Sequence, residues 1–286
     1  MTPRRDLKVR TKDGLRLHVE DWGDPLDDTA PLLCLSGLTR NTRDFRELAE
    51  RHAPHRRVVT FDYRGRGRSD RDSNWRNYRP EVYLDDVFQV IAATNLHHFV
   101  VVGTSLGGLL TMGMGLLMPA VFKAAVINDI GPDFTPGGVE RILAAIGEDK
   151  PQADWPDAMA HIASNFPPGS YPRADENTYR KLAETAFKAG DDGKLHFSWD
   201  TAIAQALVEG PPPGDLWPPF LSLKQKPLLL VRGETSDLLS AETAARMAEL
   251  HPDMTEVCVR GTPHAPTLDE PEVELAIDEF LARIDS

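Results

Sequence analysis

Ser105 stands at the centre of Gly103-Thr104-Ser105-Leu106-Gly107-Gly108. A serine hydroxyl is a weak nucleophile at neutral pH. It needs a base to take its proton, and the base needs a carboxylate to orient it. Downstream the chain supplies both, in the order Ser, Asp, His: Asp237 in Gly233-Glu234-Thr235-Ser236-Asp237, and His264 in Gly261-Thr262-Pro263-His264-Ala265-Pro266. The other histidines fit less well. His97 and His98 precede the central strand, and His251 ends a helix, so these three belong to the wrong edge of a sheet. His264 leaves the carboxyl end of a strand, as Ser105 and Asp237 do. Asp129 ends the strand before Pro132 and is a second carboxylate within reach of the histidine from that side. Asp237 is placed ahead of it, with Asp129 shaping the entry to the segment that follows.

The elements that must position these groups are legible around each of them. Residues 99–102 are a short apolar run that reads as a buried strand, and residues 106–118 read as a buried helix ended by Pro119. A strand and a helix joined with almost no loop force a sharp turn, with Ser105 at its tip. Gly103 and Gly107 stand two residues to either side, where side chains would collide with neighbouring backbone. The turn exposes the hydroxyl and aims the Leu106 amide into the same space. An acyl-transfer intermediate carries an oxyanion, and losing one fixed donor to it costs about 3 kcal/mol. Leu106 is expected to give one such donor. The amide of Leu38, in the loop 36–41 that Gly37 allows to turn tightly, is expected to give the other. No Lys-Ser/Thr pair and no G-x-G-x-x-G pattern accompanies the glycines, which argues against nucleotide binding.

Around this centre the chain alternates. Residues 6–11 and 15–21 read as an antiparallel hairpin about Asp13-Gly14. The continuous apolar run at 31–35 reads as a strand buried on both faces, 57–62 as another buried strand, and 122–128, 226–231 and 255–259 as further strands. Helices are expected at 42–51 with Thr42 as cap, and at 81–94, 241–250 and 272–284. Between residues 133 and 220 the strand signal stops. Short helices are expected there at 141–146, 155–166, 176–189 and 201–208, before the run Pro211-Pro212-Pro213-Gly214. The pattern predicts an α/β protein: a mostly parallel eight-stranded sheet with helices on both faces, formed by residues 1–132 and 221–286, with 133–220 inserted as a helical cap, or lid, over the strand ends.

The 286 residues suit one large domain with an insertion, and a formal net charge of -12 argues against nucleic acid or an anionic membrane as partner. Arginines between Arg64 and Arg79 are interrupted by acids and read as a solvated loop. Cys34 and Cys258 lie in strand-like runs and read as buried thiols, with no zinc spacing or disulfide framework. The amino terminus enters strand pattern without an apolar leader, so a soluble, cytoplasmic protein is expected, either monomer or homodimer.

On Ser36-Gly37-Leu38, the run from Phe61-Asp62-Tyr63-Arg64-Gly65 to Arg66-Gly67-Arg68-Ser69, the Ser105 motif, the Asp237 loop and the His264 loop, the chain resembles the α/β-hydrolase fold superfamily over nearly its whole length. The resemblance implies a Ser105–His264–Asp237 triad, a lid after the sixth strand, and hydrolysis of a small-molecule substrate without metal or organic cofactor. Ser36-Gly37 replaces the frequent His-Gly of the oxyanion loop, and Pro263 stands where glycine is frequent and stiffens the histidine loop. A serine at the elbow argues against an Asp-nucleophile dehalogenase or epoxide hydrolase. The expected activity is cleavage of an ester or related acyl bond of a small, fairly apolar substrate, with Trp155, Phe166, Phe187 and Trp217 as pocket walls. The alternatives are a carbon–carbon bond hydrolase of a dicarbonyl, a lactonase, an acyltransferase, or a ligand-binding fold member without catalysis.

Overall fold

The computed structural model describes residues 4–212 and 214–286. The start of the expected leader-free amino terminus and Pro213 of the proline run lie outside the described residues.

Eight strands form one sheet: β1 (Arg4–Arg10), β2 (Arg16–Trp22), β3 (Leu32–Leu35), β4 (Val58–Phe61), β5 (Phe99–Thr104), β6 (Phe122–Asn128), β9 (Leu228–Gly233) and β10 (Met254–Val259). Their order is β1-β2-β4-β3-β5-β6-β9-β10. The first two strands are antiparallel to their neighbours, and from β4 onward the sheet is parallel. The predicted α/β architecture, with its mixed edge, is therefore present. Central strands are apolar at most positions because both sheet faces are covered. Leu33, Val101, Ile127 and Leu230 point into one core, packed under helices α2 (Pro80–Thr94), α3 (Leu106–Leu117) and α9 (Ala241–Leu250). Leu32, Val102, Val126 and Leu229 point into the other, under α1 (Arg46–His52) and α10 (Pro271–Asp285). Full burial of each such side chain stabilises by roughly 2 kcal/mol.

Between β6 and β9 the chain forms α4 (Pro136–Ile146), α5 (Trp155–Ser164), α6 (Glu176–Ala186), α7 (Ala202–Glu209) and α8 (Trp217–Leu221). A short hairpin, β7 (Phe187–Ala189) and β8 (Leu195–Phe197), sits among them. The hairpin and α8 were not legible in the sequence. Residues 187–189 were expected to continue a helix, but Phe187 is wholly buried and pairs with Phe197 instead. The first turn after β3 also differs. Asn41, not Thr42, caps a 3-10 turn (Thr42–Phe45) that leads into α1.

Two further expectations are corrected. Cys258 is exposed, because β10 is an edge strand with one neighbour. The arginine loop is solvated only in part: Arg68, Arg71, Arg76 and Arg79 are exposed, but Arg64 and Arg66 are 2% and 1% exposed. Arg64 is paired with Asp86, Asp13 and Asp72, each at 2.7 Å, which compensates the burial of its charge. Arg66 lies 4.6 Å above the centre of the Tyr83 ring and donates through Nε to the Leu38 carbonyl at 2.8 Å.

The elbow helix is fixed by close backbone approach. A Cβ on Gly107 would fall 2.0 Å from the Leu35 carbonyl oxygen, and one on Gly103 would fall 2.6 Å from the Gly107 carbonyl. These glycines let α3 lie directly on β3 and β5. Gly107→Ala is expected to lower the unfolding free energy by about 3 kcal/mol or more. Gly137→Ala, in the first turn of α4 with nothing within 4 Å of the added methyl, is expected to leave it unchanged or raise it by up to about 1 kcal/mol. Denaturant titration of both variants checks the contrast.

Candidate active site

Ser105 occupies the tip between β5 and α3 with φ +52° and ψ -112°. A non-glycine residue pays strain to sit there, and the surrounding glycine packing holds it in place. Its amide donates to the Asn128 carbonyl at 2.9 Å, tying the tip to the end of β6. Asn128 also donates from its side chain to Thr104 Oγ1 (3.1 Å) and to the Pro266 carbonyl (2.8 Å), and so links the elbow to the loop that carries His264. That loop is held from the other side by Gly233, where a Cβ would lie 2.4 Å from the Thr262 carbonyl oxygen.

His264 Nε2 lies 3.0 Å from Ser105 Oγ. His264 Nδ1 lies 2.8 Å from Asp129 Oδ2. An ionised carboxylate only accepts, so Nδ1 carries the proton and Nε2 faces the hydroxyl as an acceptor. The histidine is thus where the sequence placed it. The carboxylate is not. Asp237, expected to orient His264, is instead paired with Arg141, whose Nε and Nη2 donate to Oδ2 (2.5 Å) and Oδ1 (2.8 Å). Asp129, the second candidate, takes the position against the imidazole.

The physical reason is reach. Asp129 is the first residue past β6 and turns at once, with φ +57°, back toward the strand ends. It is 0% exposed, and besides His264 it accepts from the Gly233 amide (2.8 Å) and the Ser236 hydroxyl (2.7 Å). The loop after β9 therefore contributes Ser236 to this network, while Asp237 points to the inserted segment. The Asp237 carboxyl is desolvated by partial burial. The Arg141 guanidinium outweighs that and holds its pKa below the ordinary carboxylate range, with His264 adding in the same direction.

Leu106 is the first residue of α3, so its amide has no acceptor within the helix and is free to point outward. The loop of Leu38 comes close from the other side: a Cβ on Gly37 would be 3.7 Å from Ser105 Cβ. The Leu38 carbonyl is held by Arg66, a buried member of the arginine loop. The signal missed was the aromatic set Tyr63, Tyr78 and Tyr83, whose faces receive the guanidinium.

A cavity of about 450 Å³ includes Ser105, His264 and Leu38 in its lining, with α4, α5 and α6 contributing the opposite wall. Of the four aromatic residues expected there, Phe166 lines it. Trp155 borders a separate cleft between α5 and α6. Phe187 is buried behind the wall against Phe197, with ring centres 5.2 Å apart. Trp217 donates to Asp133 at 2.9 Å and packs under Arg246. The lining combines apolar wall, including Phe45, Tyr171 and Trp199, with charged residues. Its cations are Arg40, Arg43, Arg46, Arg141, Arg180 and Lys181, against four acids, Asp44, Glu47, Glu184 and Asp269.

Asp6, His18 and Glu20 bring possible metal-ligand atoms within 4.8 Å of one another. Arg68 already pairs with Glu20 and Asp6, and none of the three lines the cavity.

The model of the alpha/beta hydrolase family matches residues 32–278. The chain belongs to that family. It is 33% identical over 267 residues to the 3-hydroxybutyrate-oligomer hydrolase of Cupriavidus necator, covering 90% of this chain and 89% of the relative. It is 29% identical over 252 residues to the 2-(acetamidomethylene)succinate hydrolase of Mesorhizobium japonicum, covering 87% of each. Among solved structures, an alpha/beta hydrolase from Novosphingobium aromaticivorans superposes with a TM-score of 0.92 at 41% identity over 99% of both chains. Among the described residues no helix is long and apolar enough to cross a membrane.

Substitution separates the two carboxylates. Asp129→Asn is expected to lower kcat for a neutral ester such as p-nitrophenyl butyrate by about 10⁴-fold, as losing the orienting acid does elsewhere. Asp237→Asn is expected to lower it by about tenfold or less, since it leaves the imidazole's partner in place. Steady-state kinetics on the two variants reads the difference.

Proposed function

We propose that this hydrolase cleaves the ester bond of a short hydroxy-acid ester through Ser105, His264 and Asp129. The observation that carries the reading is the unbroken hydrogen-bonded line from the Ser105 hydroxyl through both imidazole nitrogens to the buried Asp129 carboxylate.

Ser105 Oγ attacks the carbonyl carbon while His264 Nε2 takes its proton. The carbonyl oxygen becomes an oxyanion facing the Leu38 and Leu106 amides. Collapse of the intermediate breaks the carbon–oxygen bond, and His264 returns the proton to the departing alcohol. A water then attacks the acyl-serine, giving its proton to His264. The second intermediate collapses to the free acid and the Ser105 hydroxyl. Asp129 stays ionised throughout and stabilises the imidazolium. Residues 133–220 serve as the cap, enclosing the substrate against the strand ends.

The choice of a hydroxy-acid ester rests on two supports. The Cupriavidus relative, by its name, hydrolyses oligomers of 3-hydroxybutyrate, and units of a hydroxy acid joined head to tail are linked by esters. The cavity has six cations against four acids in its lining, set beside apolar and aromatic wall, which suits a short acid with an apolar body.

A fluorophosphonate probe is expected to label the wild-type chain at Ser105 and to leave Ser105→Ala unlabelled. Ser105→Ala should keep its melting transition and lose about 10⁶-fold in kcat on p-nitrophenyl butyrate. Retained turnover in that variant, or a folded wild-type chain that neither labels nor hydrolyses, would rule the reading out.

A further inference from the structure

We propose that Arg141 is the anchor for a carboxylate on the substrate, and that Asp237, displaced from the imidazole, is the positioning residue that holds this guanidinium in the cavity. The inference rests on the ester-hydrolase reading of the same site.

Arg141 lies on α4, the first helix after β6, and lines the cavity that contains Ser105 and His264. Ile142 and Ala145 of the same helix line it as well, so the charge sits beside apolar wall. Asp237 grips the guanidinium along one edge, at Nε and Nη2. A guanidinium has five N–H donors in a planar fork. Two are used here, which leaves both hydrogens of Nη1 and one of Nη2 to meet an anion.

The junction is built to hold that geometry. The Thr135 hydroxyl donates to the Asp237 carbonyl. The Thr135 amide donates to the Leu238 carbonyl at 3.1 Å. Gly138 approaches so closely that a Cβ would stand 2.3 Å from the Asp237 carbonyl oxygen. These backbone contacts already fasten α4 to the core. The two-point ion pair therefore does something else: it fixes where the free end of Arg141 lies.

Most other cations of the lining are engaged: Arg43 donates to Asn41 Oδ1 and to the Glu184 carbonyl, and Arg180 pairs with Glu176 at 2.9 Å. Arg40 pairs with Asp44 at 2.7 Å, and Lys181 pairs with Asp269 at 2.5 Å and Glu47 at 2.6 Å. Arg141 and Arg180 both pair with acids outside the lining; what sets Arg141 apart is the two-point grip of Asp237 along one edge of its guanidinium. In a chain of formal net charge -12, a cavity whose lining holds more cations than acids is a local reversal of sign. Such a reversal draws in an anion and orients it. A short hydroxy-acid ester ends in a carboxylate, and a carboxylate fits the free edge of a fork held from its other side. The anchored acid end would set which ester bond rests against Ser105.

Isothermal titration calorimetry on the full chain tests this independently of turnover. In the Ser105→Ala protein, the free-acid dimer of 3-hydroxybutyrate is expected to bind at least tenfold more tightly than its primary amide. Adding Arg141→Gln should reduce that preference to less than twofold. Arg141→Lys should restore part of it, and Asp237→Asn should weaken the acid more than the amide. A merely structural role for the pair would weaken both ligands alike. Equal binding of acid and amide, or a preference that survives Arg141→Gln in folded protein, overturns the proposal. Failure of the ester reading looks different: Ser105 would not label and p-nitrophenyl butyrate would not be hydrolysed by the wild type.

Discussion

The site depends on one buried charge. The Asp129 carboxylate is wholly excluded from water, and an ion in that position costs several kcal/mol unless hydrogen bonds replace its hydration. Three do so: the Gly233 amide, the Ser236 hydroxyl and the His264 imidazole. The donors come from the end of β9, the loop after it, and the loop after β10. The carboxylate therefore acts as a fixed point on which separate pieces of chain must close. Once they have closed, the far nitrogen of the imidazole has only one place to go, which is against the Ser105 hydroxyl.

Close packing supplies the other half of that convergence. The elbow is held because Gly103 and Gly107 allow backbone to touch backbone, with no side chain to absorb an error. The Leu38 loop is held by Arg66, a cation buried among three tyrosine rings that also bonds the Tyr83 hydroxyl. A residue far from the chemistry thus sets the position of one side of the cavity. The carbonyl it grips belongs to the residue whose amide is assigned to the oxyanion.

The elements around the site were legible because their physics is local. Strands 99–104 and 122–128 are apolar at nearly every position, and the glycines flanking Ser105 announce a turn that tolerates no side chains. The choice between Asp129 and Asp237 was not legible. Both follow adjacent parallel strands, with Asn128 in register with Val231, so both leave the same edge of the sheet. What separates them is the left-handed turn at Asp129 and the pairing of Asp237 with Arg141, and neither is written in residue spacing. The buried arginines were missed for a related reason. Arg64 and Arg66 are compensated by Asp13, Asp72, Asp86 and the tyrosines, partners that only the fold brings together. Trp155, Phe187 and Trp217 fall outside the cavity wall that Phe166 joins, because side-chain size says nothing about which face of an inserted helix meets the cavity.

Proton NMR of the imidazole tests most directly which acid holds the histidine. A histidine N–H donating to a buried carboxylate resonates far downfield and is shielded from exchange. Such a resonance from the His264 Nδ1 proton is expected in the wild-type chain and in Asp237→Asn, and should be lost in Asp129→Asn. A signal that survives Asp129→Asn and disappears in Asp237→Asn would contradict the assignment of the buried acid.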